Sequence, residues 1–197
     1  MAFIETVADD EATGAAAEML DVVRNESGRV PNYVRMFAHR PDVYAGWQEL
    51  LVAVRESMDR RRYELATIAA ARRLRSSYCM LAHSSVLLDM QFYDEDGVRA
   101  LAADHRSADL DPVDVAVMDL AEKVAADATS VTQEDVDRLR GLGLSDGEIF
   151  DVVLADSLRA FFTKTLDAVG VEPDASYGEL DPELRDMLVV GRPIAAG

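Results

Sequence analysis

Helical periodicity is the feature of this sequence that most restricts the folds open to it. Apolar residues recur at helical spacing along most of the chain, whereas the alternation of a half-buried strand is hard to find. The pattern is clearest over 113–124, where Asp111 and Pro112 supply an N-cap followed by proline at the first helical position. The sequence therefore predicts an all-α fold, a bundle of helices.

Capping and breaking residues indicate where the helices begin and end. Ser145 with Glu148 has the spacing of a capping box, and it opens a long helix that ends at Gly170. The other helices are expected at roughly 11–25, 42–58, 62–75, 76–90, a short one ending near 104, 112–124 and 132–141.

No repeat, low-complexity tract or linker divides the first part of the chain. We therefore expect residues 1–170 to form one all-α domain. The segment 171–197 contains Pro173, Pro182 and Pro193. Because proline interrupts helices, we predict that this segment is an extended C-terminal arm with at most one helical turn.

The balance of charge is strongly acidic, with 20 basic and 37 acidic side chains and a net charge of −17. A phosphate backbone needs a basic footprint, so nucleic acid and anionic membranes are poor partners. No apolar run approaches the ~18 residues that span a bilayer. The N-terminus opens with acid instead of the basic and apolar stretches of a secretory signal, which favours a cytoplasmic protein.

The side chains that bind metals and cofactors are sparse. Cys79 is the single cysteine, which excludes an intrachain disulfide and a cysteine-based metal site. His39, His83 and His105 lie far apart and show no paired ligand spacing. There is no glycine-rich phosphate loop. We therefore predict no metal, haem, flavin or nucleotide.

One segment does combine residues that could carry chemistry. Cys79 and His83 are four residues apart, so on a helix they share one face. If Ser76 is the N-cap, Cys79 is the third helical residue, where free backbone amides favour a thiolate. The imidazole could take the thiol proton, and Glu64 on the preceding helix could orient the imidazole.

Each of these residues also has a purely structural interpretation. A free cysteine often packs as a small hydrophobe, a histidine on an apolar stripe is often a core residue, and Ser76 suits a simple helix cap. Glu64 near a helix start has a dipole explanation. The arginines Arg60–Arg62, Arg72 and Arg73 could be solvated, interface or anion-binding charges. Asp156 could be a buried acid. The aromatic residues Trp47, Phe161 and Phe162 could be core or subunit contacts.

The segment ELATIAAARRLRSSYCMLAH resembles the core motif of the carboxymuconolactone decarboxylase and alkylhydroperoxidase-D superfamily, in particular its peroxidase-related branch. That motif is a Glu, eleven residues, and then Cys-x-x-Cys-x-x-x-His, which places Glu64, Ser76, Cys79 and His83 on its four positions. The segments VPNYVRMFAHRPDVYAGW, GLSDGEIFDVV and FFTKTLDAVGVEPD extend the resemblance over about residues 28–174.

The resemblance implies a helical bundle of the alkylhydroperoxidase-D-like type, assembled as a homo-oligomer. It also implies that Cys79 attacks a peroxide, His83 is its base and Glu64 supports the proton path. The first motif cysteine, which resolves the oxidised thiol in dithiol members, is Ser76 here. A dithiol cycle is excluded, so an external thiol or a partner protein would have to reduce Cys79, while Ser76 could cap the helix or donate a hydrogen bond to the thiolate.

Three functions follow as hypotheses. The first is a single-cysteine, thiol-dependent peroxidase that acts on peroxides or alkyl hydroperoxides. The second is a cofactor-free acid–base lyase of the carboxymuconolactone decarboxylase kind, in which His83 and Glu64 act on a small carboxylated compound and Cys79 is secondary. The third is a non-catalytic family member that keeps only the scaffold.

Overall fold

The computed structural model describes residues 2–196 and is helical, with no strand in that range. The all-α prediction is therefore confirmed. Two short 3-10 turns, at Ala128–Ser130 and Ala175–Glu179, lie between helices. The α-helices are α1 Ala15–Ser27, α2 Asn32–Phe37, α3 Pro41–Glu56, α4 Arg60–Leu74, α5 Ser77–Asp89, α6 Glu95–Asp104, α7 Pro112–Asp127, α8 Gln133–Gly141, α9 Asp146–Val169 and α10 Pro182–Leu188.

Helix α4 lies at the centre of the bundle and packs against α5, α7 and α9. All nine residues from Tyr63 to Ala71 are buried. Four of those nine are alanine, a residue whose short side chain lets neighbouring helices approach closely. A helix that is covered on every side fixes the positions of its partners, so α4 sets the relative placement of α5 and α9.

Charged side chains anchor the start of α4. The Asp59 side chain accepts a hydrogen bond from the backbone N–H of Arg62. The side chains of Arg61 and Arg62 both pair with Asp114 of α7, whose carboxylate is fully buried. The sequence interpretation of these arginines as solvated charges is therefore wrong for Arg61 and Arg62, because each is drawn to a carboxylate that needs compensation.

A left-handed residue connects α4 to α5. Arg75 has φ 58° and ψ 41°, and its N–H and that of Ser76 bond back to the end of α4. This turn reverses the chain so that α5 packs alongside α4, the arrangement that the Glu64-to-His83 spacing needs.

The predicted capping box at Ser145 is present, a second one forms at Thr132, and Gly28 and Gly170 end their helices in the left-handed conformation. The predicted ends are correct to within a few residues: the first helix begins at Ala15 and not near 11, and α4 begins at Arg60 and not at 62.

The segment after α9 contains more helix than the single turn expected from its prolines. Asp181 caps α10, and Pro182 occupies its first turn, where proline costs nothing. Leu184 and Leu188 are fully buried, and α10 packs against α5 and α6. The Gly191 N–H donates a hydrogen bond to Ser77 Oγ. Among the helices of residues 2–196, none is long and apolar enough to cross a membrane.

Candidate active site

Cys79 lies in the first turn of α5, as the sequence predicts. Ser76 is the N-cap residue and Cys79 the third residue of the helix. The Ser76 side chain makes no capping hydrogen bond, however; it interacts with the Asp167 carboxylate of α9. Cys79 is 1% exposed. The thiol therefore sits near the positive end of α5, behind the protein surface.

The polar contacts of the Cys79 sulfur come from α9. Thr163 Oγ1 lies 3.4 Å from the sulfur and Arg159 Nη1 lies 3.5 Å from it. Among residues 2–196, these are its hydrogen-bonding partners, and His83 is not one of them. The two motif residues share a helix face, as predicted, but the ring is turned toward another partner.

That partner is Glu64. The Glu64 carboxylate is fully buried on α4, and its Oε2 lies 2.5 Å from Nδ1 of His83. Its Oε1 pairs with Arg60 at 2.8 Å. The His83 side chain is 15% exposed, so its other edge reaches the surface of a cavity. The predicted contact between base and orienting acid is present in the structure.

The electrostatics of this pair determine where the proton lies. Burial lowers the pKa of His83, as does the positive charge of Arg159, and together they outweigh the opposite effect of Glu64. Burial raises the pKa of Glu64, but His83, Arg60 and Arg159 lower it below its ordinary value. Near neutral pH the imidazole is thus uncharged, with Nδ1–H donating to the carboxylate. Nε2 then carries the free lone pair of a base.

Arg159 is a buried cation, 4% exposed, and lies between the Cys79 thiol and the side chains of Tyr63 and Phe162. Its Nη2 donates to the hydroxyl of Tyr63 at 3.3 Å, and its guanidinium lies 5.5 Å from the ring centre of Phe162. Burial lowers the pKa of Arg159, but interactions with Cys79 and Tyr63 raise it above the usual value. The guanidinium therefore keeps its positive charge, 3.5 Å from the sulfur.

A cavity of about 720 Å³ opens onto these groups. Its volume lies in the range of roughly 300–1,000 Å³ typical of small-molecule sites. Trp47 and Phe162 stack at 4.7 Å on one wall of the cavity. Both are buried, as expected of core residues, but they are also pocket aromatics, whereas Phe161 is exposed. The lining includes Cys79, His83, Glu64 and Arg159, and the aromatic residues Tyr33, Trp47, Tyr63, Tyr78, Phe162 and Tyr177.

The C-terminal segment closes part of this cavity. Asp174 and Tyr177 contribute to the lining. The hydroxyl of Tyr78 donates to Asp174, and so does the backbone N–H of Asn32, at 2.8 Å. The segment that follows α9 therefore helps to shape the site through Asp174 and Tyr177.

Asp156, His105 and His39, which the sequence also singled out, do not line the cavity. Asp156 is buried, as the sequence suggested, and burial raises its pKa to about 7. His105 is buried and bonds Asp119, and His39 bonds the carbonyl of Glu5. Within residues 2–196, no group of three or more His, Cys, Asp or Glu side chains is arranged to hold a metal ion.

Comparison with solved structures places this arrangement in a known architecture. A peroxidase-related protein from Ralstonia eutropha JMP134, described as an alkylhydroperoxidase AhpD core, matches with a TM-score of 0.78 at 20% identity, over 97% of this chain and 98% of that one. A peroxidase-related protein from Silicibacter sp. TM1040 gives 0.75 at 17% identity, over 90% and 91%. The chain has the alkylhydroperoxidase-D fold.

A debrominase shares the same fold. The debrominase Bmp8, in complex with 2,3,4-tribromopyrrole, matches with a TM-score of 0.76 at 12% identity, over 95% of this chain and all of that one. No protein-family model matches the sequence, and neither does any curated protein. The comparisons thus confirm the predicted alkylhydroperoxidase-D-like fold and leave the chemistry to the residues of the site.

Within this alkylhydroperoxidase-D fold, sequence reasoning missed the two residues that touch the thiol. Arg159 and Thr163 are four apart on α9 and follow Val152 and Asp156 on one face. A signal was present, because Asp156 and Arg159 place two charges on a mostly apolar helix face. Buried charges on such a face are candidates for function.

Proposed function

We propose that this protein is a single-cysteine, thiol-dependent peroxidase with Cys79 as the attacking residue. The observation that carries the proposal is the buried Arg159 guanidinium, 3.5 Å from the Cys79 sulfur. A cation held at that distance from a buried sulfur favours the thiolate, which is the nucleophilic form. The Thr163 hydroxyl can donate a further hydrogen bond to it at 3.4 Å.

The reaction balances with the residues present. The Cys79 proton passes by way of the bound hydroperoxide to Nε2 of His83, while Glu64 holds Nδ1–H. The thiolate attacks the terminal oxygen of the hydroperoxide, so that an S–O bond forms and the O–O bond breaks. Sulfur is oxidised by two electrons to a sulfenic acid, and the leaving alkoxide takes the proton from His83 to become an alcohol.

Turnover requires an outside reductant, since the chain has no second cysteine. A first molecule of a small thiol condenses with the sulfenic acid, which releases water and leaves a mixed disulfide on Cys79. A second molecule attacks that disulfide, which restores the Cys79 thiol and releases the oxidised small thiol. Ser76 has no part in this cycle beyond its place at the start of α5.

The test is to treat the reduced protein with one equivalent of cumene hydroperoxide and to measure its intact mass. We expect addition of one oxygen at Cys79, trapped by dimedone, and catalytic loss of hydroperoxide when a small thiol is added. Cys79→Ser should show neither. Unmodified Cys79 together with no consumption of hydroperoxide would contradict the proposal.

A second candidate draws on a different observation. The Glu64–His83 pair is complete without Cys79, because the sulfur bonds α9 instead. Such a pair can perform acid–base work on a small carboxylated substrate, as a decarboxylase of this superfamily would. Under this alternative Cys79→Ser keeps activity and His83→Gln abolishes it, whereas in the peroxidase the thiol is indispensable.

The same two variants address the remaining alternatives. The debrominase of this fold makes 2,3,4-tribromopyrrole a useful probe, since release of bromide that depends on Cys79 would indicate thiol chemistry on a halogenated ring. If wild-type protein acts on none of these compounds, the scaffold has kept the fold without the activity.

A further inference from the structure

Arg55 is a cation with no partner among residues 2–196. It lies near the end of α3, is half-buried and lines the cavity described above. Within residues 2–196, no carboxylate or other group pairs with its guanidinium, although the chain has 37 acidic and 20 basic side chains. A half-buried arginine left unpaired in so acidic a protein leaves room for an anion from outside.

The face of α3 that carries Arg55 is ordered from apolar to charged. Trp47, Leu51 and Arg55 are four residues apart and all line the cavity. With a rise of about 1.5 Å per residue, the three Cα atoms span roughly 12 Å along the helix. The face thus offers an aromatic surface, then an aliphatic one, then a guanidinium.

The other charges of the cavity already have partners or lie at its rim. Arg60 pairs with Glu64, and the Asp174 carboxylate accepts hydrogen bonds from Tyr78 and Asn32. Three further charged residues, Arg29, Asp89 and Glu179, line the cavity but are exposed at its rim. Of these, Arg29 donates a hydrogen bond to the Ser176 hydroxyl. Arg159 is committed to the thiol. Of the cations that line the cavity in the described part of the chain, Arg55 is therefore the half-buried one that is free to bind an incoming acid.

We propose that the cavity takes hydroperoxides that carry a carboxylate on an apolar body. The carboxylate binds Arg55, the body lies against Trp47 and Leu51, and the hydroperoxide group reaches Cys79. The inference rests on the proposed peroxidase function for the reactive end of the ligand. Recognition of the acid rests on the cavity alone, so the two can be tested apart.

Trp47 provides the measurement, because it is the single tryptophan and lines the cavity. We would titrate 3-phenylpropionate and, in parallel, 3-phenylpropan-1-ol, and follow Trp47 fluorescence. These probes share the phenyl body and differ in charge. The Cys79→Ser protein is used throughout, so that no chemistry at sulfur contributes. We expect the carboxylate to bind about tenfold more tightly than the alcohol, the gain of a charge-assisted pair.

Variants of Arg55 then test the assignment. Arg55→Gln should reduce the preference for the carboxylate to about unity, and Arg55→Lys should retain part of it, since a point charge replaces the bidentate fork. The matched control is Arg73→Gln, an exposed arginine of α4 that does not line the cavity and should leave the preference unchanged. Circular dichroism confirms that each variant is folded.

Three results would overturn the inference: equal binding of the two probes, no binding of either, or a preference that survives Arg55→Gln. None of them bears on whether Cys79 reduces hydroperoxides. Conversely, a failed peroxidase assay with a charge preference that depends on Arg55 would remove the proposed function and leave a carboxylate-binding cavity.

Discussion

The guanidinium of Arg159 lies 3.5 Å from the sulfur of Cys79, although the two residues are 80 positions apart. Thr163, one turn further along α9, lies 3.4 Å from the same sulfur. The immediate surroundings of the thiol are therefore set by a helix outside the Glu64-to-His83 motif. The motif supplies a nucleophile and an acid–base pair, and α9 supplies the charge that the nucleophile needs.

Replacing Arg159 by methionine should slow alkylation of Cys79 by iodoacetamide at neutral pH by about tenfold or more, because the thiolate loses its neighbouring cation. Intact mass reports the reaction without ambiguity, since Cys79 is the single cysteine. The alkylation rate of Arg159→Lys should lie between those of wild type and Arg159→Met, and the rate of Arg73→Met should equal that of wild type. An unchanged rate in Arg159→Met would refute the role assigned to Arg159.

Glu64→Gln should lower kcat/KM by roughly ten- to a hundredfold, since the acid orients the base without replacing it. It should also shift the acidic limb of the pH–rate profile to lower pH, because Glu64 raises the pKa of His83. Arg60→Gln is the opposite control: Arg60 lowers the pKa of His83, so its removal shifts the limb to higher pH. A shift of the acidic limb in the same direction in both variants would contradict the assignment of this limb to His83.

Asp156→Asn should stabilise the protein above neutral pH. The folded protein holds the Asp156 proton up to a pKa of about 7, whereas the ordinary value is 3.8. Between these values the folded state binds more protons, so stability falls as pH rises and the cost is complete above pH 7. Urea denaturation should show a gain of up to about 4 kcal/mol near pH 8 and almost none near pH 4. A gain that is equal at both pH values would mean that the carboxyl titrates alike in the folded and unfolded chains.

Asp114→Asn should destabilise the protein by roughly 1.5–3 kcal/mol, because its buried carboxylate holds the partly exposed guanidinium groups of Arg61 and Arg62 through charge-assisted hydrogen bonds. Thermal and urea denaturation both measure the loss. Asp146→Asn breaks the exposed pair with Arg140 and should change stability by less than about 1 kcal/mol. Equal losses in the free energy of unfolding in Asp114→Asn and Asp146→Asn would show that the buried ion pairs stabilise the protein no more than an exposed one.

Local signals were enough for the helices and for half of the site. Ser145 with Glu148 and Thr132 with Asp135 act within three residues, so the sequence marks both helix starts directly. The Glu64–His83 contact was predictable because a single turn separates two consecutive helices. It needed the spacing of the motif, and no knowledge of the rest of the bundle.

The contacts of Cys79 with α9 were beyond such reasoning. They depend on how α9 is rotated against α4 and α5, which is decided by the packing of apolar side chains over the whole bundle. The His83 ring illustrates the same limit, because its spacing from Cys79 predicted a direct contact and the buried Glu64 holds it elsewhere. Helix α10 was missed for another reason: Pro182 was interpreted as a break, although Asp181 and Pro182 repeat the start signal of Asp111 and Pro112.

The last stretch of the chain buttresses the turn that presents the sulfur. Asp174 holds Tyr78, and the Gly191 amide holds Ser77, so two consecutive residues just ahead of Cys79 are braced from behind. A Cβ at Gly191 would come within 2.0 Å of the Arg75 carbonyl oxygen, so this brace leaves no room for a larger residue. Truncation of the protein after Gly170 would thus remove the hydrogen bonds that hold Ser77 and Tyr78, and with them the support for the first turn of the helix that carries Cys79.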